Sequence, residues 1–129
     1  MRILLFGHTY QPSRSEQIRH VLQTLSRTEA ELVAHGDFYD FLSKEFPDVC
    51  HRIGEIDCRS DYTADMALSI GGDGTFLRAA EKIGDRGIPV LGVNIGRLGF
   101  LADVPAEEVE PVLNEILEGK YKIEERSLL

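Results

Sequence analysis

The chain has 129 residues, 43% of them hydrophobic and 28% charged, which is the composition of a soluble globular domain and not of a disordered chain. Its 22 acidic residues outnumber its 14 basic residues, and the formal net charge is -8. A surface with this charge repels nucleic-acid phosphates and anionic lipid headgroups, so we expect neither a nucleic-acid nor a membrane partner.

The cysteines and the first residues indicate where the protein works. Cys50 and Cys58 form no C-x-x-C pair and have no regularly spaced histidines beside them, so they predict no zinc site. We interpret them as reduced thiols. The apolar run over residues 3–6 is too short for a signal peptide or a membrane helix, and we therefore expect a cytoplasmic protein.

The chain opens with alternating strand and helix patterns. The run over residues 3–6, which ends at Gly7, predicts a buried strand. Residues 13–16 match a capping box, and the apolar spacing that follows predicts a helix ending near Arg27. Residues 31–34 predict a second strand.

A short helix and a long loop are predicted next. Asp37 is the predicted cap of the helix and Pro47 its predicted stop. Residues 48–65 show a poor pattern, which predicts a long loop with one edge strand at 52–56. The apolar residues of the helix are Phe38, Phe41, Leu42 and Phe46.

Two strands in the second half each run into a glycine-rich turn. A predicted strand at 66–70 leads into the turn 71–75, and a helix follows that residues 84–87 close. A predicted strand at 88–93 leads into the second turn, 94–99. The predicted apolar face of the intervening helix consists of Phe76, Leu77, Ala80 and Ile83.

The end of the chain predicts one more helix and one more strand. Pro105 is the predicted start of the helix, and Pro111 must lie in its first turn because an interior proline lacks a hydrogen-bond donor. Gly119 is a predicted helix stop. Alternation over residues 121–124 predicts a strand that leaves the domain.

Alternating strands and helices predict an α/β fold with an open, mostly parallel sheet flanked by helices. Ligands of such sheets bind at the carboxyl ends of the strands, and both glycine-rich turns follow strands. We therefore expect both turns at the carboxyl edge of the sheet.

The turn Gly71-Gly72-Asp73-Gly74-Thr75 predicts phosphoryl-transfer chemistry. Glycines let a ligand approach the backbone, and a turn that opens a helix presents unpaired N–H groups to phosphate. A carboxylate in that position repels phosphate, so it is better explained as a base for a hydroxyl or as a magnesium contact. The turn is neither a Walker A loop nor a dinucleotide fingerprint, and the alternative is a helix start in which Asp73 only caps.

Residues 71–77 (GGDGTFL) and 92–101 (GVNIGRLGFL) together resemble the paired signatures of the NAD kinase family. Residues 119–129 resemble the crossing into that family's second domain. This resemblance implies a nucleotide-binding domain over residues 1–122 and the start of the crossover at 123–129. It also implies phosphorylation of the 2′-hydroxyl of the adenosine ribose of NAD, with ATP as donor and a divalent metal, Mg²⁺, as cofactor.

The resemblance also implies roles for individual residues. Asp73 matches the motif aspartate that takes the hydroxyl proton. Gly74 matches the glycine that lies against the bound dinucleotide, and Gly72 belongs to the same nucleotide-binding turn. Arg78 lies where the family has a nucleotide contact, and Phe100 matches an aromatic residue that lines the adenine pocket.

Some of these residues also have ordinary structural explanations. Arg78 is equally well explained as a solvated helix residue, and Phe100 as a core residue. Asn94 is better explained as a turn former than as a ligand.

NAD kinases are about twice this length, and their β-rich second domain supplies an Asn-acid pair to the NAD site. The resemblance therefore implies that this chain alone is inactive and that the parent protein is a dimer or tetramer. The same GGDGT turn occurs in diacylglycerol, sphingosine and sugar kinases, and a non-catalytic nucleotide-binding module is a further alternative. The sequence of the second turn and the net negative charge favour an NAD kinase over a lipid kinase.

Overall fold

The computed structural model describes residues 1–7, 15–56, 63–95, 104–105 and 108–117. Its elements in chain order are β1 (Arg2–Phe6), α1 (Ser15–Ser26), β2 (Glu31–His35), α2 (Gly36–Glu45), α3 (Pro47–Cys50), β3 (Ile53–Ile56), β4 (Met66–Gly71), α4 (Asp73–Ile83), a 3-10 turn (Gly84–Arg86), β5 (Val90–Asn94), β6 (Val104–Pro105) and α5 (Val109–Leu117).

The strands form one sheet in the order β3-β2-β1-β4-β5-β6, and every pairing is parallel. Leu4 of β1 pairs with Val33 of β2 on one side and with Ala67 of β4 on the other. β2 and β3 are added in turn on one side of β1. The chain then returns to the other side of β1, where β4, β5 and β6 are added in turn. The predicted α/β fold with a parallel sheet is confirmed, and β1 and β4 meet at its topological switch point.

Alternation along β1 separates the core into two layers. Ile3 and Leu5 belong to a cluster that includes buried residues of α1, α2, α3 and α5. Leu4 and Phe6 belong to the other cluster, which α4 joins through Ala79 and Ile83. Helices therefore cover both faces of the sheet, as the continuous apolar pattern of β1 requires. Among the helices of the described ranges, none is long and apolar enough to cross a membrane.

The first half of the chain confirms the predicted strands and corrects the predicted helix cap. The N-cap of α2 is His35, and Asp37 lies inside the first turn, where a carboxylate still interacts favourably with the helix dipole. Pro47 does more than stop α2, because it opens the short helix α3. The edge strand predicted at 52–56 is β3. The predicted capping box lies largely outside the described residues.

The buried face of α4 agrees only in part with the predicted one, because Ile83 is buried as predicted but Leu77 is not. Leu77 is 43% exposed, whereas Thr75, Ala79 and Ile83 are buried. These three residues follow each other at four-residue intervals, so they form one row on the helix, and Leu77 lies off that row. The pattern of large apolar residues was misleading because a threonine and an alanine pack closest to the sheet.

Two prolines shift the boundaries of later elements. β5 begins at Val90, two residues later than predicted, and the Pro89 carbonyl accepts a hydrogen bond from the Ala67 N–H at 2.9 Å. Pro105 lies in β6 and does not start the last helix, which begins at Val109. Pro111 is the third residue of α5 and lies in its first turn, as predicted. Predictions for residues 118–129 concern parts outside the described ranges.

Arg52 joins the start of β3 to the loop between α1 and β2. Its Nη1 donates hydrogen bonds to the carbonyls of Ser26 at 2.5 Å and Thr28 at 3.0 Å, and its Nη2 donates to the Ala30 carbonyl at 3.1 Å. One guanidinium therefore satisfies the carbonyl of Ser26, the last residue of α1, and two carbonyls of the connection that leads to β2.

We expect Arg52→Met to lower the free energy of unfolding by about 2–3 kcal/mol, because hydrogen bonds from a charged donor are strong and the carbonyls lose their partner. Arg27→Met is the matched control, since Arg27 is exposed and should change stability by less than about 0.5 kcal/mol. Urea denaturation followed by circular dichroism measures both. Equal midpoints for the two variants would contradict this role of Arg52.

Candidate functional site

The turn between β4 and α4 presents unpaired backbone donors at the switch point. β4 ends at Gly71, Gly72 is the N-cap, and α4 begins at Asp73 with no side-chain cap. The first bond within the helix runs from the Phe76 N–H to the Gly72 carbonyl at 3.0 Å. The N–H groups before Phe76 have no acceptor within the helix, so this end of α4 can bind an anion.

Gly72 and Gly74 are not required by the packing of the described residues. A Cβ atom built on Gly72 or on Gly74 meets nothing within 4 Å. Gly74 is exposed and lies within the helix, where glycine is intrinsically unfavourable. Among the described residues, none occupies the space beside these two glycines.

A cleft of about 1100 Å³ lies at the carboxyl end of β1, with α2 and α4 as its walls. The end of β1 contributes Leu5, Phe6 and Gly7. The charged residues that line the walls are Asp37, Asp40, Lys44 and Glu45 of α2 and Arg78 and Lys82 of α4.

Each helix presents one face to this cleft. On α4 the lining residues Thr75, Arg78, Ala79 and Lys82 are spaced as neighbours on a single helical face. Thr75 and Ala79 are buried, whereas Arg78 and Lys82 are exposed, so the cations form the outer part of this wall. The α4 wall carries positive charge, and three of the four charged residues on the α2 wall are acidic.

His35 connects the edge of the cleft to β3, the edge strand of the sheet. It ends β2 and lines the cleft, and its Nδ1 lies 3.1 Å from the Ile56 carbonyl of β3. The carbonyl can only accept, so Nδ1 carries the proton in this contact. The contact fixes the start of α2 relative to the sheet.

Gly7 gives Phe38 room at the end of β1. A Cβ on Gly7 would lie 2.3 Å from the Cε1 and Cζ atoms of the Phe38 ring, which is buried. The ring of Phe38 is also stacked on Phe41, with centroids 6.2 Å apart. A side chain at position 7 must therefore displace an aromatic residue that lines the cleft.

We expect Gly7→Ala to destabilise the fold by about 1–3 kcal/mol, the usual cost of overpacking. Phe38→Leu in the same chain should recover part of this loss, because it removes the ring atoms that the methyl group meets. The coupling free energy from the double-mutant cycle measures the effect. Strict additivity of the two changes would show that the ring and the Gly7 backbone are not in contact.

The predicted site residues fall at this edge as far as they are described. Asp73 is the first residue of α4, but its side chain is outside the described set. Gly72 and Gly74 flank it, and Arg78 lines the cleft. Phe100 and residues 96–99 of the second turn lie outside the described ranges.

Sequence reasoning missed the α2 wall and Lys82. A signal for the α2 wall was present, because Asp37, Phe41 and Lys44 recur at helical spacing in a segment already predicted as a helix. That this face of α2 lies across the cleft from α4 could not be predicted from sequence, because the two helices are far apart along the chain.

The chain is similar to several characterised proteins. A family model described as ATP-NAD kinase N-terminal domain matches residues 3–121. The NAD kinase of Bacteroides fragilis is 41% identical over 129 residues, covering 100% of this chain and 44% of that protein. The NAD kinase of Flavobacterium psychrophilum is 39% identical over 131 residues, again covering 44% of its length.

A solved structure shares the fold. The crystal structure of yeast NADH kinase complexed with NADH superposes with a TM-score of 0.76 and 23% sequence identity, over 93% of this chain and 38% of that chain. The chain therefore spans less than half the length of the curated relatives and of the solved structure that it matches.

Proposed function

Because the chain belongs to the ATP-NAD kinase family and matches its amino-terminal domain, we propose that the protein phosphorylates the 2′-hydroxyl of the adenosine ribose of NAD with ATP, giving NADP and ADP. The observation that carries this proposal is the open, donor-rich start of α4, where Asp73 follows two glycines at the topological switch point. A helix start of this kind binds phosphate, and a carboxylate within it serves a hydroxyl.

Asp73 acts as the base in the proposed reaction. Its carboxylate takes the proton of the ribose 2′-hydroxyl while that oxygen forms a bond to the γ-phosphorus of ATP. The bond from the γ-phosphorus to the bridging oxygen breaks, and ADP leaves with that oxygen. The unpaired N–H groups at the start of α4 stabilise the phosphate oxygens as charge shifts during the transfer.

Gly72, Gly74 and Arg78 bind the nucleotide in this proposal. No atom of the described residues lies within 4 Å of either glycine Cβ position, which supports an approach of the dinucleotide to this backbone. Arg78 lies five residues, about 1.4 helical turns, beyond Asp73 and lines the cleft, where its guanidinium can bind phosphate. Phe100 is proposed to line the adenine pocket.

We propose that magnesium arrives with ATP and is not held by a preformed cage of the described side chains. They include no group of three or more His, Cys, Asp or Glu residues that could hold a metal. Magnesium in phosphoryl transfer is held largely by phosphate oxygens and water, so it needs no cage of protein ligands. When bound, it neutralises charge on the phosphates.

The region that the curated relatives carry beyond this length completes the NAD site in our proposal. The chain alone is then inactive, and the intact protein that carries it works as a dimer or tetramer in the cytoplasm. Assembly and location are tested separately from the chemistry, by light scattering of the intact protein and by fractionation of cells that express it.

An acceptor panel tests the proposed function. The intact protein is incubated with ATP, Mg²⁺ and either NAD, diacylglycerol, sphingosine or a sugar phosphate, and ADP release is followed. We expect release with NAD alone. If ADP is released with a lipid or a sugar phosphate but not with NAD, then that compound and not NAD is the acceptor. If the protein binds nucleotide but releases no ADP with any acceptor, it is a non-catalytic module.

A further inference from the structure

Three cations line the cleft and form no ion pair with another residue of the described ranges. The ion pairs within the described ranges are Arg2–Glu31 and Arg19–Asp48, and neither includes Lys44, Arg78 or Lys82. All three nonetheless line the same cleft of about 1100 Å³. In a chain whose formal net charge is -8, such a grouping of unpaired cations is uncommon and favours an anionic ligand.

The cations continue the anion-binding start of α4 along the cleft. Arg78 and Lys82 lie one turn apart on the face of α4 that lines it, in the direction leading away from the unpaired N–H groups. At 1.5 Å per residue, Lys82 lies about 13 Å along the helix from Asp73. An extended chain of several phosphates is long enough to follow much of this path.

The acidic residues indicate which wall of the cleft a phosphate chain would contact. Asp37, Asp40 and Glu45 are all on α2. They repel phosphate from that wall, and Lys44 is the α2 cation in the lining. A phosphate chain is therefore held against α4, with Lys44 reaching it from the opposite side.

We propose that Lys82 and Lys44 bind the phosphate chain of the phosphoryl donor, extending the contact that begins at the Gly-rich turn and Arg78. This inference rests on the proposed function for the identity of the donor. The cleft is then the donor site, and the dinucleotide acceptor approaches Asp73 from outside it.

Both lysines also lie in the last turn of their helices, where a cation interacts favourably with the helix dipole. That role would affect stability and leave ligand binding unchanged, so stability and binding must be measured on the same variants. The variants are Lys44→Gln, Lys82→Gln and the double variant. Arg27→Gln is the control, because it removes one positive charge from an exposed position that is not among the cleft-lining residues.

Isothermal titration of the intact protein with ATP, inorganic tripolyphosphate and NAD, at low and high NaCl, tests the proposal. We expect ATP and tripolyphosphate to bind about threefold more weakly to each single variant and about tenfold more weakly to the double variant. NAD binding should be unchanged, and Arg27→Gln should bind as the wild type. The difference between wild type and double variant should shrink at high NaCl.

The binding readout separates this proposal from the proposed function. Weaker ATP and tripolyphosphate binding supports the donor site even if no NADP is formed. Unchanged ATP binding in the double variant would overturn it, with or without a lower melting temperature. Weaker NAD binding with unchanged ATP binding would also overturn it, because the cations would then hold the phosphates of the dinucleotide. If a glutamine variant does not fold, Lys82→Arg replaces it and should retain the wild-type affinity for ATP. The ATP affinity of the wild type should in that case still fall strongly as the NaCl concentration rises.

Discussion

Replacing Asp73 by Asn should lower the turnover number of the intact protein by about a hundredfold or more, the usual contribution of a general base. The amide has the shape of the carboxylate but cannot accept the hydroxyl proton. Binding of ATP should stay the same or tighten, since a negative charge next to the phosphates is removed. Steady-state kinetics with NAD and ATP, together with ATP titration, measures both effects.

Glu81→Gln is the control for this experiment. Glu81 is exposed on the same helix and is not among the cleft-lining residues, so its charge change should alter turnover by less than about twofold. An Asp73→Asn protein that turns over at the wild-type rate would show that Asp73 only caps α4. A loss of ATP binding that accounts for the whole effect would assign Asp73 to binding and not to proton transfer.

Replacing Gly74 by Ala should separate stability from activity. A Cβ at this position meets no atom of the described residues within 4 Å, and alanine is favoured over glycine in a helix by up to about 1 kcal/mol. The free energy of unfolding should therefore be unchanged or slightly higher. Catalytic efficiency with NAD should fall by about 10–100-fold, because the methyl group displaces the dinucleotide from its reactive position.

Gly84→Ala is the control, because it should lower stability and leave catalytic efficiency unchanged. Gly84 also has open space around it, but its φ is +56°, which disfavours any residue with a side chain. We expect a loss of about 1–2 kcal/mol in stability and no change in catalytic efficiency. A Gly74→Ala protein with wild-type efficiency would show that no ligand approaches the backbone there.

β1 and β4 could be predicted from sequence because buried parallel strands need apolar runs, and residues 3–6 and 66–70 show such runs, with Ser69 as the one polar residue in them. β6 was missed, because its two residues carry no such run and Pro105 is predicted as a helix start. The packing of α4 could not be predicted in the same way. Its buried row uses Thr75 and Ala79, small residues that let the helix approach the sheet, while the larger Leu77 is exposed.

The start of α4 was also predictable, because glycines and a carboxylate after a strand form a local chemical pattern. The cleft could not be predicted, because Lys44 and Lys82 are 38 positions apart in the sequence. They line the same cleft only because the strand order places α2 and α4 on either side of it. The short helix α3 was missed because Pro47, read as a stop for α2, also has the fixed φ that suits the first turn of a new helix.

In the proposed reaction a phosphoryl group is transferred to the ribose 2′-hydroxyl at the turn that Asp73 occupies. ³¹P NMR of the product formed from NAD, ATP and Mg²⁺ by the intact protein tests it most directly. The expected result is a single new phosphomonoester signal that coincides with added NADP and is absent with Asp73→Asn. A phosphomonoester at another position of the dinucleotide, or no new signal from a folded protein, would contradict it.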